Sequence, residues 1–313
     1  LADCVARRPG DWDLALAVNM AMESIPHYGH VVAGEFRRGD HRGGNWEQFR
    51  RVELYDRRVQ LRLFRDSYEN FLRDLPGIVS GTQMDYWVNY ASAWYDWRAW
   101  RLQVLTDLDA ELDITSAEED ADDPPGAPVD NQGEPIFYQV PVTFAAAKND
   151  GERWRWVLSE MINKGDEACQ DRARLELADF LRENFGVQTL QSSPWFYRAR
   201  EKDELSGISA LPALGDDETI ARLANGVRRF ALPDEFNYLS IYTALAEKDG
   251  PHAQQALWQL VEIYENRRQY DKALRWLQRG RERWGDNEEF TRRLEAITGN
   301  WCEFRPAKAQ LAG

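Results

Sequence analysis

Three of the four histidines in this sequence, His27, His30 and His41, fall within fifteen residues, with Glu35 and Asp40 between them. Imidazole and carboxylate groups are side chains that hold zinc or iron. However, the glycine-rich segment does not place two histidines one turn apart on a helix, the spacing of a common zinc motif. We therefore favour surface and capping histidines over a metal site, and we expect no cofactor.

A basic, glycine-rich turn follows at residues 37–44, with the sequence RRGDHRGG. Backbone amides and guanidinium groups in such a turn are suited to holding an anion. The turn lacks the lysine and the preceding strand that a phosphate-binding loop requires. A salt bridge to an acidic helix is the simpler expectation in a chain whose net charge is -14.

No motif for catalysis is present in the sequence. There is no Gly-x-Ser-x-Gly elbow, and the cysteines Cys4, Cys169 and Cys302 are too far apart for a metal or disulfide framework. Carboxylates are so abundant that no pair stands out for acid–base chemistry. We expect that the chain is not an enzyme.

Apolar residues recur three or four positions apart along most of the chain, as one face of a helix requires. Alternation of apolar and polar residues, which marks strands, is almost absent. The sequence therefore predicts a mainly α protein with helices over 45–75, 83–108, 152–163, 166–185, 217–230, 234–248, 253–266, 270–284 and 287–297.

Composition divides the chain into three regions. Nine carboxylates lie between Asp107 and Asp123, and Pro124, Pro125 and Gly126 follow them. Such a stretch is typical of a solvated linker. We predict an N-terminal helical repeat region (1–112), an acidic Pro/Gly-rich connector (113–147) and a C-terminal helical repeat region (148–313).

A repeat signal is strongest near the C-terminus, at 253–285. Apolar residues there follow the spacing of a tetratricopeptide (TPR) hairpin, in which a small residue lets two antiparallel helices approach closely: Leu257, Leu260, Val261 and Tyr264, then Tyr270, Ala273 and Leu277. A weaker copy is Tyr86, Trp87, Tyr90 and Ala99. The pattern predicts an α–α superhelix, a TPR-like helical-hairpin solenoid; an irregular helical bundle is the alternative.

A solenoid of stacked hairpins builds long grooves that bind proteins. Aromatic side chains dominate the energetics of such contacts, although most aromatic residues of a helical protein belong to its core. The first candidates for protein binding are Tyr86, Tyr90, Trp94, Tyr264 and Trp276.

Charge and hydropathy exclude two classes of partner. A net charge of -14 repels phosphate backbones, so we expect no nucleic-acid binding. No apolar run of about 18 residues is present, so we expect no transmembrane segment in this chain.

Several strings taken together carry a family resemblance: PHYG (26–29), GEF (34–36), HRGG (41–44), GAPVD (126–130), KNDGERWRW (148–156), FGVQT (185–189), DETIARLA (217–224), LPDEFN (232–237), ENRRQY (265–270) and GNW (299–301). With these strings the chain resembles the N-terminal helical (TPR-like) region of large bacterial alpha-2-macroglobulin-like proteins. The resemblance covers roughly residues 24–313.

The resemblance implies a protein of the cell envelope or periplasm, in an endopeptidase-inhibitor family that traps proteases with a bait region and often a thioester. The thioester motif Cys-Gly-Glu-Gln is not present, since Val5, Gln170 and Glu303 follow the three cysteines. The implied partners are proteins: downstream macroglobulin domains, proteases or other envelope proteins. We also expect the chain to be part of a longer protein.

The leading hypothesis is a non-catalytic α-helical repeat scaffold that forms the N-terminal part of such a protein and binds proteins. The first alternative is a free-standing TPR-like adaptor that binds a peptide. The second is a metal-dependent enzyme that uses His27, His30 and His41.

Overall fold

The computed structural model describes residues 7–41, 46–77, 79, 81–94, 99–111, 113–115, 126–188, 210–285 and 288–310, with the backbone alone at 46, 99–100 and 300–310. Several sequence features lie outside the described residues. These are Cys4, the side chain of Cys302, residues 42–44 of the basic turn and most of the acidic stretch after residue 115.

The described part of the chain is mainly helical, as the periodicity predicts. Its α-helices are α1 (Trp12–Met22), α2 (Glu53–Arg73), α3 (Gly81–Trp94), α4 (Asp150–Lys164), α5 (Glu167–Phe185), α6 (Tyr238–Ala246), α7 (Ala253–Asn266), α8 (Tyr270–Trp284) and α9 (Glu288–Gln310). Short 3₁₀ turns lie at Trp46–Gln48, Ala99–Gln103, Phe144–Ala146, Leu211–Ala213 and Asp234–Phe236. Among the described residues no helix is both long and apolar enough to cross a membrane.

Two small antiparallel sheets correct the expectation that strands are almost absent. Their strands are β1 (Tyr28–Val32), β2 (Glu35–Arg38), β3 (Phe49–Arg51), β4 (Glu218–Leu223) and β5 (Gly226–Ala231). The first sheet has the order β2-β1-β3. Its β1–β2 turn places Ala33 and Gly34 at φ values of 53° and 84°, a conformation that suits a tight hairpin.

The second sheet shows that the helix predicted over 217–230 is wrong. Strands β4 and β5 pair from Glu218 with Ala231 to Leu223 with Gly226. Ile220, Leu223 and Val227 happen to recur at helical spacing, which explains the error. The sequence also contained the contrary signal, because Asn225-Gly226 is a dipeptide that favours hairpin turns.

Two further helix predictions were too long. The helix predicted over 45–75 begins at Glu53, because residues 49–51 pair with β1 instead. The helix predicted over 83–108 ends at Trp94, and Ala99–Gln103 is a 3₁₀ turn. The second helix of the weaker TPR-like copy is therefore not formed.

The chain divides into two compact units that differ from the predicted regions. Unit 1 comprises Leu1–Pro124 with Phe137–Ala173, and unit 2 comprises Pro125–Ile136 with Arg174–Gly313. Of the described residues in the predicted connector 113–147, residues 126–136 belong to unit 2, and residues 113–115 and 137–147 belong to unit 1. Ala127 exchanges main-chain hydrogen bonds with the β4–β5 hairpin, and the carbonyl of Tyr138 accepts one from Arg155 in α4.

Aromatic side chains form the core of unit 1, where α1, α2 and α3 pack together. The rings of Phe71 and Tyr86 stack with centroids 4.1 Å apart, and Phe64 stacks on Tyr90 at 5.1 Å. The Tyr86 hydroxyl donates to the Phe64 carbonyl at 2.7 Å. Burial of aromatic surface of this size is the main stabilising contribution available to the unit.

In unit 2 the helices α6, α7, α8 and α9 pack successively against one another. Helices α7 and α8 are the two helices predicted for the 253–285 hairpin. Ala273 is fully buried between them, which is the role expected of a small residue at that position.

Candidate functional site

The turn between α7 and α8 is anchored by a buried arginine, Arg267. Its guanidinium donates to the carbonyl of Gly215 at 2.9 Å, to the carbonyl of Glu218 at 2.8 Å and to the Tyr238 hydroxyl at 3.1 Å. Arg267 thereby ties the helical hairpin to β4. The next residue, Arg268, has a φ of 57°, which turns the chain sharply into α8.

A cavity of about 510 Å³ lies between this turn and the segment before β4. Gln269 fixes that segment in place, because its Nε2 donates to the Leu214 carbonyl at 2.8 Å and to the Pro212 carbonyl at 3.3 Å. The cationic side chains in the lining are Arg268, Lys272 and Arg275.

A second cavity of about 390 Å³ adjoins the first, since Lys272 and Arg275 line both. Tyr264 of α7 and Trp276 of α8 also line the second cavity, together with Arg279. We call the two adjoining cavities the α8 groove. The groove follows α8 from Tyr270 to Glu282, a rise of about 18 Å at 1.5 Å per residue.

Two cations are held over aromatic rings in this groove. Lys272 Nζ lies 5.2 Å from the Tyr264 ring and donates to Asp216 at 2.6 Å. The Arg279 guanidinium lies 4.9 Å from the Trp276 ring. Such cation–π contacts limit the conformations of long side chains and present their charges in defined positions.

Tyr264 acts as a hydrogen-bond donor in the groove. Its hydroxyl donates to Asp216 at 3.3 Å. Burial, followed by the charge of Asp216, raises the pKa of Tyr264 far above the ordinary tyrosine value. The phenol therefore stays neutral at any physiological pH and adds no charge to the groove.

Two further arginines of the groove have no partner. Arg268 and Arg275 are exposed, and neither side chain makes a hydrogen bond or ion pair within the described part of the chain. The lining of the groove has four cationic side chains, Arg268, Lys272, Arg275 and Arg279, against three carboxylates, Asp216, Asp271 and Glu282. The groove is thus slightly positive, whereas the whole chain has a net charge of -14.

The structure places the five aromatic candidates in the interior. Tyr86, Tyr90 and Trp94 are at most 2% exposed and belong to the unit 1 core. Helix α3 turns its aromatic stripe inward because that stripe is its apolar face. Tyr264 and Trp276 are 4% and 8% exposed and form the floor of the α8 groove, with the cations above them.

The three histidines do not form one cluster. His27 Nδ1 lies 2.7 Å from Asp56 Oδ2, while the rings of His30 and His41 are 6.5 Å apart. Within the described residues no group of three or more His, Cys, Asp or Glu side chains is placed to hold a metal. The geometry gives the metal-enzyme hypothesis no support.

Sequence reasoning found the floor of the groove and missed the charges that line it. Arg268, Lys272, Arg275 and Arg279 recur four, three and four positions apart, which places the last three on one side of α8 and Arg268 in the turn that precedes it. That spacing of cations in a strongly acidic chain is the signal that identifies the groove.

Comparisons of this chain with protein-family models, with curated proteins and with solved structures gave no match.

Proposed function

We propose that this chain is a non-catalytic α-helical scaffold that binds an acidic segment of a partner protein in the α8 groove. The observation that carries the proposal is the pair of unpartnered guanidinium groups, Arg268 and Arg275, on either side of Lys272. Arginine is the side chain best suited to hold carboxylates, because its planar guanidinium forms two parallel hydrogen bonds with them.

The shape of the groove favours a peptide segment. An extended chain advances about 3.3 Å per residue, so about five residues span the 18 Å length of the groove. The Lys272 and Arg279 stems that lie over Tyr264 and Trp276 offer apolar surface to a side chain between the acidic ones. An acidic segment with interspersed apolar residues is thus the partner of matching chemistry.

We propose further that the chain is a TPR-like solenoid from the N-terminal part of a bacterial alpha-2-macroglobulin-like protein of the cell envelope. The successive packing of α6 to α9 and the 253–285 hairpin support a solenoid, and the ten strings described above support the family. The gene beyond Gly313 tests the family: several hundred codons of β-rich sequence support it, and an immediate stop codon favours a free-standing adaptor.

A peptide titration tests the groove. We expect a fluorescein-labelled peptide of alternating glutamate and leucine to bind the whole chain, with an affinity that falls as salt rises because the exposed charges are screened. The control peptide has every glutamate replaced by glutamine and is expected to bind at least about tenfold more weakly.

Two results would count against an acidic protein segment as the partner. One is equal binding of the glutamate and glutamine peptides, which would leave the cations without a role. The other is tighter binding of a DNA duplex than of the glutamate peptide at the same ionic strength, since that result would indicate a general polyanion surface.

A further inference from the structure

A polar cleft of about 210 Å³ lies in unit 1, among α1, α2, α3 and the residues before β1. It is far from the α8 groove in sequence and has a different chemistry. Its lining includes Asn19, Glu23, His27, Glu53, Arg57 and Asn89. A cavity of about 150 Å³ holds a benzene molecule, so this cleft has room for a ligand of that size or somewhat larger.

Asn19 provides the most informative group in the cleft. The residue is 2% exposed, and its Nδ2 donates to the Ala15 carbonyl at 2.9 Å. A carbonyl can only accept a hydrogen bond, so the amide nitrogen of Asn19 must face Ala15. The side-chain oxygen of Asn19 therefore points away from that carbonyl. That oxygen, Oδ1, is buried and has no hydrogen-bond partner. A buried acceptor without a partner destabilises a protein, which indicates that a donor from outside completes it.

His27 offers a second acceptor. Its Nδ1 lies 2.7 Å from Asp56 Oδ2, and Asp56 also accepts two hydrogen bonds from Arg38, at 2.7 and 2.8 Å. Asp56 accepts hydrogen bonds from Arg38 on both oxygens, and a hydrogen bond from Nδ1 of His27 adds to these. In the neutral tautomer that donates from Nδ1 to Asp56, the lone pair of His27 lies on Nε2.

The charge of the lining is negative. The carboxylates of Glu23 and Glu53 are exposed, and neither has a hydrogen-bond or ion-pair partner within the described residues. Arg57 also lines the cleft, so the lining has two carboxylates against one guanidinium. Asn89 donates its Nδ2 to the Asp85 carbonyl at 2.8 Å, which leaves the Asn89 side-chain oxygen as another acceptor.

We propose that this cleft binds the ammonium group of a primary amine. An ammonium group carries one positive charge and three N–H donors, and it has no acceptor. The cleft supplies matching groups: the unpartnered Asn19 Oδ1, the Nε2 lone pair of His27 and the free carboxylates of Glu23 and Glu53. Among the described residues no donor reaches the Asn19 oxygen.

Binding of n-butylamine to the intact chain, followed by saturation-transfer NMR, tests the proposal. For a ligand of five non-hydrogen atoms we expect a dissociation constant on the order of 1 mM. Two control ligands test the positive charge and the N–H donors separately. n-Butanol lacks the charge, and tetramethylammonium has the charge without N–H donors; both are expected to bind about tenfold more weakly or worse.

Two variants assign the binding to the cleft. Asn19→Leu removes the unpartnered oxygen, and Glu53→Gln removes one charge; each is expected to weaken n-butylamine binding about tenfold. Glu69→Gln changes an exposed glutamate of the same helix outside the cleft and is expected to bind like the wild type. Asn19→Leu should raise the thermal midpoint, so its loss of binding cannot be ascribed to unfolding.

N-acetyl-lysine N-methylamide carries a lysine side chain without free termini. Its binding shows whether the ammonium group comes from a lysine of a partner protein or from a free small amine. Binding at least as tight as that of n-butylamine supports a lysine side chain of a partner, and weaker binding supports a free small amine. Three results overturn the proposal: no binding of n-butylamine, equal binding of tetramethylammonium, or unchanged binding by Asn19→Leu.

Discussion

Arg267 donates a hydrogen bond from Nη2 to the main-chain carbonyl of Glu218 at 2.8 Å, although the arginine is fully buried and lies 49 residues further along the chain. The same guanidinium also donates hydrogen bonds to the Gly215 carbonyl and the Tyr238 hydroxyl. One side chain therefore joins the helical hairpin, the β4–β5 hairpin and the first residue of α6. The position of the α8 groove depends on this link, because Gly215 and Arg268 both line it.

Replacing Arg267 by methionine is expected to destabilise unit 2 strongly. The change removes the guanidinium donors from two part-buried carbonyls and from the Tyr238 hydroxyl, and each such loss costs up to about 1–3 kcal/mol. We expect the free energy of unfolding from urea titration to fall by about 3 kcal/mol or more. The matched control is Arg268→Ala at the neighbouring exposed position, for which we expect a change within about 0.5 kcal/mol.

Asp56→Ala is expected to destabilise unit 1. Asp56 is 1% exposed and accepts from both Arg38 and His27, so its removal leaves a partly buried guanidinium without a counterion. Breaking a buried pair in this way costs about 3–5 kcal/mol. Asp66→Ala on the same helix removes an exposed ion pair with Arg65 and should cost less than about 1 kcal/mol. Similar urea midpoints for the two variants would contradict this account.

Glu218 should contribute a pH-dependent part of the stability. Hydrogen bonds from Arg229, and then from the Gly215 amide, lower the pKa of Glu218 below its ordinary value of 4.5. At a pH between the lowered pKa and 4.5, the folded protein binds fewer protons than the unfolded chain. The contribution is therefore fully present above pH 4.5 and is lost as the pH falls through the lowered pKa.

The variant Glu218→Gln tests this contribution. At neutral pH we expect it to lose about 1 kcal/mol of unfolding free energy relative to the wild type, because a bidentate pair with Arg229 is removed. The difference should shrink as the pH is lowered below the ordinary glutamate value. If the difference in unfolding free energy between Glu218→Gln and the wild type does not change with pH, the effect comes from packing and not from the charge of Glu218.

Cys169 is expected to be unreactive in the folded protein. It is fully buried in α5, and burial, followed by the charge of Asp166, raises the pKa of its thiol to about 12. The thiolate is the reactive form, so little of it is present at neutral pH. Peptide mapping after treatment with a maleimide should find Cys169 unmodified without denaturant and modified with it. Rapid labelling of the native protein would show that α5 opens readily.

The regular helices were predictable because local signals agree with their packing. Helix α4 begins after Asn149, whose side chain caps the Glu152 amide at 2.8 Å, and its apolar stripe is buried. The hairpin of α7 and α8 followed from the spacing around Ala273. In these segments capping, periodicity and burial all indicate the same structure.

Strand β4 could not be found from periodicity, because its buried positions do not alternate. Thr219, Ile220, Ala221 and Leu223 are all buried, and the three-residue spacing of Ile220 and Leu223 fits a helix equally well. The charged surface of α8 could not be predicted from its aromatic residues, because helical packing buries most of these. Arg267 was unpredictable, because only tertiary structure supplies its acceptors.

The most direct test of the central claim is the affinity of the glutamate–leucine peptide for the double variant Arg268→Gln/Arg275→Gln. Both arginines are exposed and unpartnered, so the variant should fold normally while binding the peptide about tenfold more weakly or worse. The matched control, Arg281→Gln, removes an exposed charge of the same helix outside the groove and should bind like the wild type. Equal affinities of the double variant and the control would contradict the assignment of the α8 groove as the binding site.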